Sequence, residues 1–496
     1  MKPFNFKIIG KTQAAVLFSM LMCNQGDVFA QAKAVSEAET YNTKKQYNVL
    51  FIVADDLNCD MGCFDDPIVK TPNLDKLCQY AVRFNNSYCQ YPFSGPSRAS
   101  FLTGYTPDRT GVLDLEANFR DNLPAAVTLP ELYKKNGYFT ARVGKVFHAG
   151  VPNDIGKPGM DDSQSWVDTY NPIGIDRTQE DKVINFTPDR PLGSALCYMV
   201  TDGSDDEHTD AIGANIACRM IKKNKNKPFF IAMGFYRPHS PYVAPKKYFD
   251  LYPIDQITLP KVPEDDWINR PIYERFTDPI NWGVEETKLR EAKRAYYAAI
   301  SFMDAQIGKL LKTLEEEGLS DKTIVVFCGD NGYNLGQHGM WMKQALFEHT
   351  TRTPLIISVP GLTNEEGKSS RIVEMLDIYP TLANLCNLKH IPQDLQGRNL
   401  LPLLQNPNAE WDGIAYSVVL RTANRFIKYM KKGERALGRT IRTERYRYTE
   451  WNDGEKGGEL YDYQLDPNEN DNLFNNPKYE KLQKELREKL YKKIGK

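Results

Sequence analysis

Val49-Leu50-Phe51-Ile52-Val53-Ala54 is a short, partly β-branched apolar run that stops on Asp55-Asp56. With no polar residue alternating through it, it reads as a strand covered on both faces. Phe229 to Met233, Ile324 to Cys328 and Leu355 to Val359 repeat the pattern, each bounded by polar or turn residues. Between them Tyr296, Ile300, Met303, Ile307, Leu310 and Leu314 recur in steps of four and three, the spacing of one helix face, and Gly318 stands where a helix C-cap favours glycine. Strands alternating with helices predict an α/β sandwich around a large mixed or parallel sheet. From about Trp411 the pattern changes. Tyr446-Arg447-Tyr448-Thr449-Glu450-Trp451 alternates as a strand, and a charged helix follows near Lys478 to Ile494, so a small C-terminal antiparallel α+β subdomain is expected.

The chain's 496 residues exceed one minimal core, which favours a large domain with a smaller partner. The division expected is a leader over residues 1–30, a catalytic domain over 31–410 and a C-terminal subdomain over 411–496. Lys2, Lys7 and Lys11 precede the apolar stretch Ala14 to Met22, and Val28-Phe29-Ala30 suits signal peptidase, so residues 1–30 read as a signal peptide and the product as exported, periplasmic or secreted. Later apolar segments are too short to span a bilayer. With 63 basic and 64 acidic residues, no global charge excess points to nucleic acid or to a membrane surface. An anionic ligand must be met by a local cluster of cations. Nine cysteines lack the paired spacing of a zinc site, and buried free thiols are the simplest reading of those in apolar runs, such as Cys328.

In an open α/β sheet, ligands bind where parallel strands end. Asp55-Asp56 follow the first apolar run and Asp330-Asn331 follow the third. Four oxygen side chains at two strand ends suit a hard cation and, without histidine or cysteine, disfavour zinc. Either pair taken alone reads sooner as a helix or turn cap than as a metal site. In Phe93-Ser94-Gly95-Pro96-Ser97-Arg98, followed by Leu102-Thr103-Gly104, Pro96 suits the first turn of a helix. Ser94 then lies at a helix N-terminus, where free N–H groups attract an anion, and Arg98 lies about one turn on.

That last segment resembles the signature of the formylglycine-dependent sulfatases: a cysteine or serine, any residue, Pro-Ser-Arg, and a Thr-Gly a few residues later. The resemblance covers nearly the whole mature chain and implies an alkaline-phosphatase-like sandwich. It also implies that Ser94 is oxidised to formylglycine by a serine-type maturating enzyme, and that one calcium ion is held by Asp55, Asp56, Asp330 and Asn331 and touches the modified Ser94. Gly144-Lys145-Val146-Phe147-His148 resembles the family's lysine and histidine, Tyr236-Arg237-Pro238-His239 carries the histidine that faces the leaving oxygen, and Lys343 in Met340-Trp341-Met342-Lys343 matches the second sulfate-binding lysine. The implied mechanism is in-line attack on sulfur. Lys145 and Lys343 steady the sulfate, Arg98 holds the nucleophile, His239 protonates the leaving oxygen and His148 helps release sulfate. His338 is read as structural.

Within the family, the spacer between Lys145 and His148 and the segments Tyr446–Trp451, Gly458–Asp462 and Asp466-Pro467 look like the iduronate-2-sulfatase branch. Ser94 replaces the cysteine of the animal enzymes, while Asn331 stands where the iduronate enzyme has a histidine and Tyr333 where it has a tryptophan. The substrate implied is a sulfated glycan, a terminal 2-O-sulfated uronate of glycosaminoglycans, with Tyr333 near the sugar and Arg237 meeting its carboxylate. Sulfated galactose, fucose or N-acetylhexosamine is the alternative substrate. A phosphate or phosphonate monoester hydrolase is the alternative activity, disfavoured by the oxygen-only ligands. A lipid transferase is disfavoured because membrane helices are absent from the sequence, and a silent glycan-binding relative because the nucleophile and ligands are all retained.

Overall fold

The computed structural model describes Gln46–Lys496 apart from Asn364, Arg425 and Lys428, so the leader expected over residues 1–30 lies outside the described residues. The first apolar run forms β1 (Asn48–Asp55), buried at every position. It belongs to an eight-stranded sheet with β2 (Val82–Tyr88), β3 (Phe139–Gly144), β4 (Asp168–Tyr170), β5 (Phe229–Pro238), β6 (Thr323–Gly329), β7 (Leu355–Ser358) and β8 (Gly367–Glu374). The strand order is β8-β2-β7-β6-β1-β5-β3-β4. β1 pairs parallel with β5 and β6, whereas β7 runs antiparallel to β6 and β2, so the sheet is mixed.

Successive side chains of β1 serve opposite layers. Leu50 and Ile52 join a core with Met233, Phe327, Ala295 and Met303, beneath α2 (Thr209–Asn224) and α3 (Glu286–Glu316). Phe51 faces the other way, 6.2 Å from Phe101 of α1 (Ser94–Thr103) and 5.9 Å from Phe230. α3 buries Tyr296, Ile300, Met303, Ile307, Leu310 and Leu314, the stripe read from the spacing, and Gly318 just beyond its end has φ 65°. Each such side chain taken from water contributes about 1.5–3 kcal/mol. The edge strand β8 is polar, and β4 has three residues, one half-buried and two exposed, so neither carries the continuous apolar signal of a central strand.

Near the C-terminus β9 (Ala415–Thr422), β10 (Arg435–Arg442), β11 (Tyr446–Trp451) and β12 (Gly458–Asp462) form an antiparallel meander. Leu486 and Leu490 of α4 (Glu480–Ile494) close its core, together with Tyr91 and Leu346. Those two residues lie three positions from Ser94 and Lys343, so this second core is built directly against the segments that carry both.

Candidate active site

β1, β3, β5 and β6 run parallel, and their carboxyl ends open on one edge of the sheet. Asp55 ends β1 with Asp56 next, Lys145 follows β3, His239 follows β5, and Asp330-Asn331 follow β6. β2 leads through a short segment to Ser94, the first residue of α1, every residue of which is buried. Gly104 ends α1 with φ 78°, and its N–H donates to Ser100 O.

Ser94 Oγ donates to Asp55 Oδ1 at 2.8 Å, and Lys145 Nζ donates to Asp55 Oδ2 at 2.6 Å. Lys343 Nζ reaches both oxygens of Asp56, Oδ1 at 2.5 Å. Arg98 donates from Nε to Asp330 Oδ2 at 2.8 Å, from Nη2 to Asp55 Oδ1 at 3.3 Å, and from Nη1 to the carbonyls of Lys145 and Val146. Its donors thus frame the carboxylates from behind. His239 Nδ1 donates to Ser240 O at 2.6 Å, which leaves Nε2 facing the site, 3.5 Å from Asp56 Oδ2.

Asp55, Asp56 and Asp330 each offer an oxygen within 4.8 Å of the others, all three being buried. Asn331 Oδ1 beside them is buried with no protein partner, while its amide donates to Asp56 Oδ1 at 3.1 Å. An oxygen-only cluster with an orphaned acceptor fits a hard divalent cation. Electrostatics agree. Burial pushes the Asp330 carboxyl up to about 6 against the pull of Arg98, with Asp55 and Asp56 adding repulsion. Burial likewise raises Asp56, although Lys343 opposes it. Burial would raise Asp55 too, but Lys145, His239, Arg98 and Lys343 outweigh it and hold that carboxyl well below the usual range. A cation between these groups relieves the repulsion that burial amplifies.

Both histidines are held neutral. Burial, then Lys145, presses His148 down to about 2, and burial, then Lys343, holds His239 well below its ordinary value. His148 Nδ1 is buried with no protein partner. Ser94, Lys145, His148, His239 and Lys343 all line one cavity of about 420 Å³. Phe93, Leu115, Val151, Pro152, Phe276 and Met342 supply apolar wall.

Two residues expected at the sugar, Arg237 and Tyr333, are not among those that line this cavity. Arg237 is buried with Nη2 on Asp176 Oδ2 at 2.8 Å and Nη1 on the carbonyls of His239 and Pro241, so it braces the turn that presents His239. Tyr333 is buried, stacked on Tyr296 at 5.1 Å, with its hydroxyl 2.8 Å from that of Tyr242. Both lie behind the chemistry because a side chain near a strand end in sequence points into the core as readily as out of it. His338 contacts Asp266 and stacks on Phe347, and it is not among the residues that line the cavity.

Sequence reading passed over a pair of glycines. A Cβ on Gly234 would stand 2.0 Å from Lys145 O, and one on Gly144, at φ 71°, would stand 2.2 Å from Gly234 O. The main chain of Lys145 reaches its place only because both side chains are absent. A glycine inside the apolar run of β5 was the available signal.

Residues 47–388 match the sulfatase family, and residues 336–496 match N-sulphoglucosamine sulphohydrolase, C-terminal. The chain is 32% identical to iduronate 2-sulfatase of Homo sapiens over 518 residues, covering 89% of this chain and 93% of that one. It is 32% identical to a sulfatase of Formosa agariphila, covering 87% and 84%. Among solved structures, the phosphonate monoester hydrolase of Silicibacter pomeroyi superposes with TM-score 0.74 at 21% identity, covering 90% of this chain and 95% of that one. A 2-O GAG sulfatase gives TM-score 0.67 at 23% identity, covering 91% and 92%. At those identities the structural likeness speaks for the fold, which is the mixed α/β sandwich with its small antiparallel C-terminal sheet. No described helix is long and apolar enough to cross a membrane. The likeness in sequence over most of the chain and the strand-end cluster around Ser94 lead to one assignment: this chain belongs to the sulfatase family, on its iduronate-2-sulfatase-like branch, and is a sulfuric ester hydrolase.

Proposed function

We propose that the protein is an exported, exo-acting glycan sulfatase that works through a formylglycine made from Ser94 and through one calcium ion. The observation that carries this reading is the placing of Ser94. Its Oγ stands at the N-terminus of α1, 2.8 Å from Asp55, in the cavity that also receives Lys145, Lys343, His148 and His239. Oxidation of Ser94 by a serine-type maturating enzyme supplies an aldehyde whose hydrate bears the attacking hydroxyl. Asp55, Asp56, Asp330, Asn331 and the modified Ser94 would hold the calcium ion, which would supply positive charge to the sulfate ester.

The chain's own residues do the rest. Lys145 and Lys343 hold the sulfate oxygens and steady the charge that grows on them as the ester bond breaks. Arg98 fixes Asp55 and Asp330, and so the direction from which attack occurs. His239 offers Nε2 to the leaving oxygen. Burial first, and Lys343 second, keep this imidazole neutral; the negative sulfate ester opposes the second of these and so favours the protonated, proton-donating form. His148 serves the nucleophile's side during release of sulfate. Apolar walls limit water.

Likeness to iduronate 2-sulfatase supports a terminal 2-O-sulfated uronate as substrate. A neutral sulfated sugar is the second reading, and the cavity wall favours it. Among the described residues, the lysines and arginines of that wall are Lys145 and Lys343 alone, both engaged with site carboxylates, and Arg237 is turned away. A uronate carboxylate needs a cation of its own. Desulfation assays on 2-O-sulfated uronates and on sulfated galactose, fucose and N-acetylhexosamine oligosaccharides separate the two readings. Protein made without the maturating enzyme should be inactive on all of them, and full activity there would overturn the formylglycine mechanism.

A further inference from the structure

Lys343 sits between two residues whose backbones are left-handed, Met342 at φ 71° and Gln344 at φ 73°. Neither residue is glycine, and a conformation of this kind persists only where surrounding contacts enforce it. Those contacts come from two directions. Gln344 N donates to Pro92 O at 3.0 Å, tying this loop to the segment that leads into Ser94. From the C-terminal sheet, Arg421 of β9 donates through Nη2 to Gln344 O at 2.6 Å and through Nε to Tyr273 O at 2.9 Å. Further along the loop, Leu346 N donates to Glu274 and Glu348 N donates to Glu469 Oε2 at 2.8 Å.

Arg421 is buried, and its guanidinium lies 5.4 Å from the ring of Phe276 and 5.8 Å from that of Trp451. Phe276 and Gln344 both line the substrate cavity, so Arg421 lies directly behind its wall. Its hydrogen bonds go to backbone carbonyls, and Nη1 is buried without a partner. A buried cation with incompletely used donors is costly, and an apolar side chain of similar size would fill the space more cheaply. What the guanidinium does that an apolar group cannot do is hold the carbonyls of Tyr273 and Gln344 and place a positive charge near the buried Glu274 carboxylate, and of these the Gln344 carbonyl is the one next to Lys343.

We propose that Arg421 is a positioning residue for catalysis: by clamping Gln344 O it holds the strained turn that aims Lys343 at Asp56 and the sulfate. The C-terminal sheet is then part of the catalytic apparatus without touching substrate. This inference rests on the reading of Lys343 as a sulfate-binding lysine.

A mutant cycle tests both levels. Wild type, Arg421→Met, Arg421→Lys, Lys343→Ala and the double variant Arg421→Met/Lys343→Ala are compared for kcat/KM on one sulfate ester. The affinity of the unmodified Ser94 forms for inorganic sulfate is measured alongside. Arg421→Met should lower both quantities about tenfold, and in the Lys343→Ala background it should cost less than about twofold, because residues acting through one another are not additive. Arg421→Lys keeps a donor and should recover part of the loss; it also carries the comparison if the methionine variant does not fold. Full additivity of the two losses, or wild-type values for Arg421→Met, would overturn the positioning role. Wild-type values for Lys343→Ala would instead remove the reading of Lys343 on which it stands.

Discussion

Arg98 Nε donates to Asp330 Oδ2 at 2.8 Å, and both side chains are completely buried. The pair joins the helix that begins at Ser94 to the strand end that carries one carboxylate of the candidate metal cluster. Removing one member of such a pair leaves an uncompensated buried charge, at a cost of about 3–5 kcal/mol. Arg98→Ala should therefore unfold at clearly lower denaturant concentration than wild type, and Arg98→Lys should recover little of the loss because it lacks the fork that also reaches Asp55. Urea unfolding with calcium present checks this; unchanged midpoints would show that the pair does not support the site.

Calcium should stabilise the protein, and more at neutral than at acidic pH. In the calcium-free site the Asp330 carboxyl is raised to about 6, above its ordinary value of about 4. The native state therefore binds more protons than the unfolded state between those limits, and this group's contribution to stability falls as pH rises from about 4 to about 6. Calcium binding displaces that proton, so its affinity should weaken below about pH 6. At a free concentration about a hundredfold above Kd the gain is about 2.7 kcal/mol. Thermal unfolding with calcium and with chelator, at pH 5 and pH 7.5, should show the larger calcium effect at pH 7.5, and activity lost to chelator should return with calcium. A larger effect at pH 5 would contradict the assigned ligands.

Loss of His239 should depend on the leaving group. A sugar alkoxide needs a proton as it departs, whereas a nitrophenolate does not, and a positioned acid contributes about 10²–10⁴-fold. His239→Asn should lose most of its kcat on a sugar sulfate and far less on 4-nitrophenyl sulfate. Equal losses on both would assign His239 to binding alone.

Gly234→Ala should damage the site without touching substrate. The added methyl would meet the carbonyl of Lys145 at 2.0 Å, backbone that cannot give way without shifting the lysine. A loss of about 1–3 kcal/mol is expected from overpacking of this kind, together with a fall in kcat/KM. Wild-type melting and kinetics would show that the strands part at no cost.

The central strands and the site motifs were legible because each carried a local signal. β1, β5, β6 and β7 are apolar runs, and Asp55, Asp56, Asp330 and Asn331 follow two of them directly, so their meeting at one sheet edge follows from parallel pairing. β8 was not legible, since an edge strand can be as polar as Gly367-Lys368-Ser369-Ser370. The directions of Arg237 and Tyr333 were not legible either. Adjacency to His239 and to Asn331 says nothing about direction, and in the fold Asp176 and Tyr242 claim them. Arg421 had no local signal at all. Its meaning depends on a carbonyl 77 residues away.

Mass spectrometry of the peptide containing Ser94, from protein purified in its native host, tests the central claim most directly. The account predicts a peptide lighter by the mass of one hydrogen molecule and reactive with a carbonyl reagent, the signature of serine oxidised to formylglycine, in a proportion that tracks sulfatase activity. Fully active enzyme whose Ser94 peptide is wholly unmodified would contradict it.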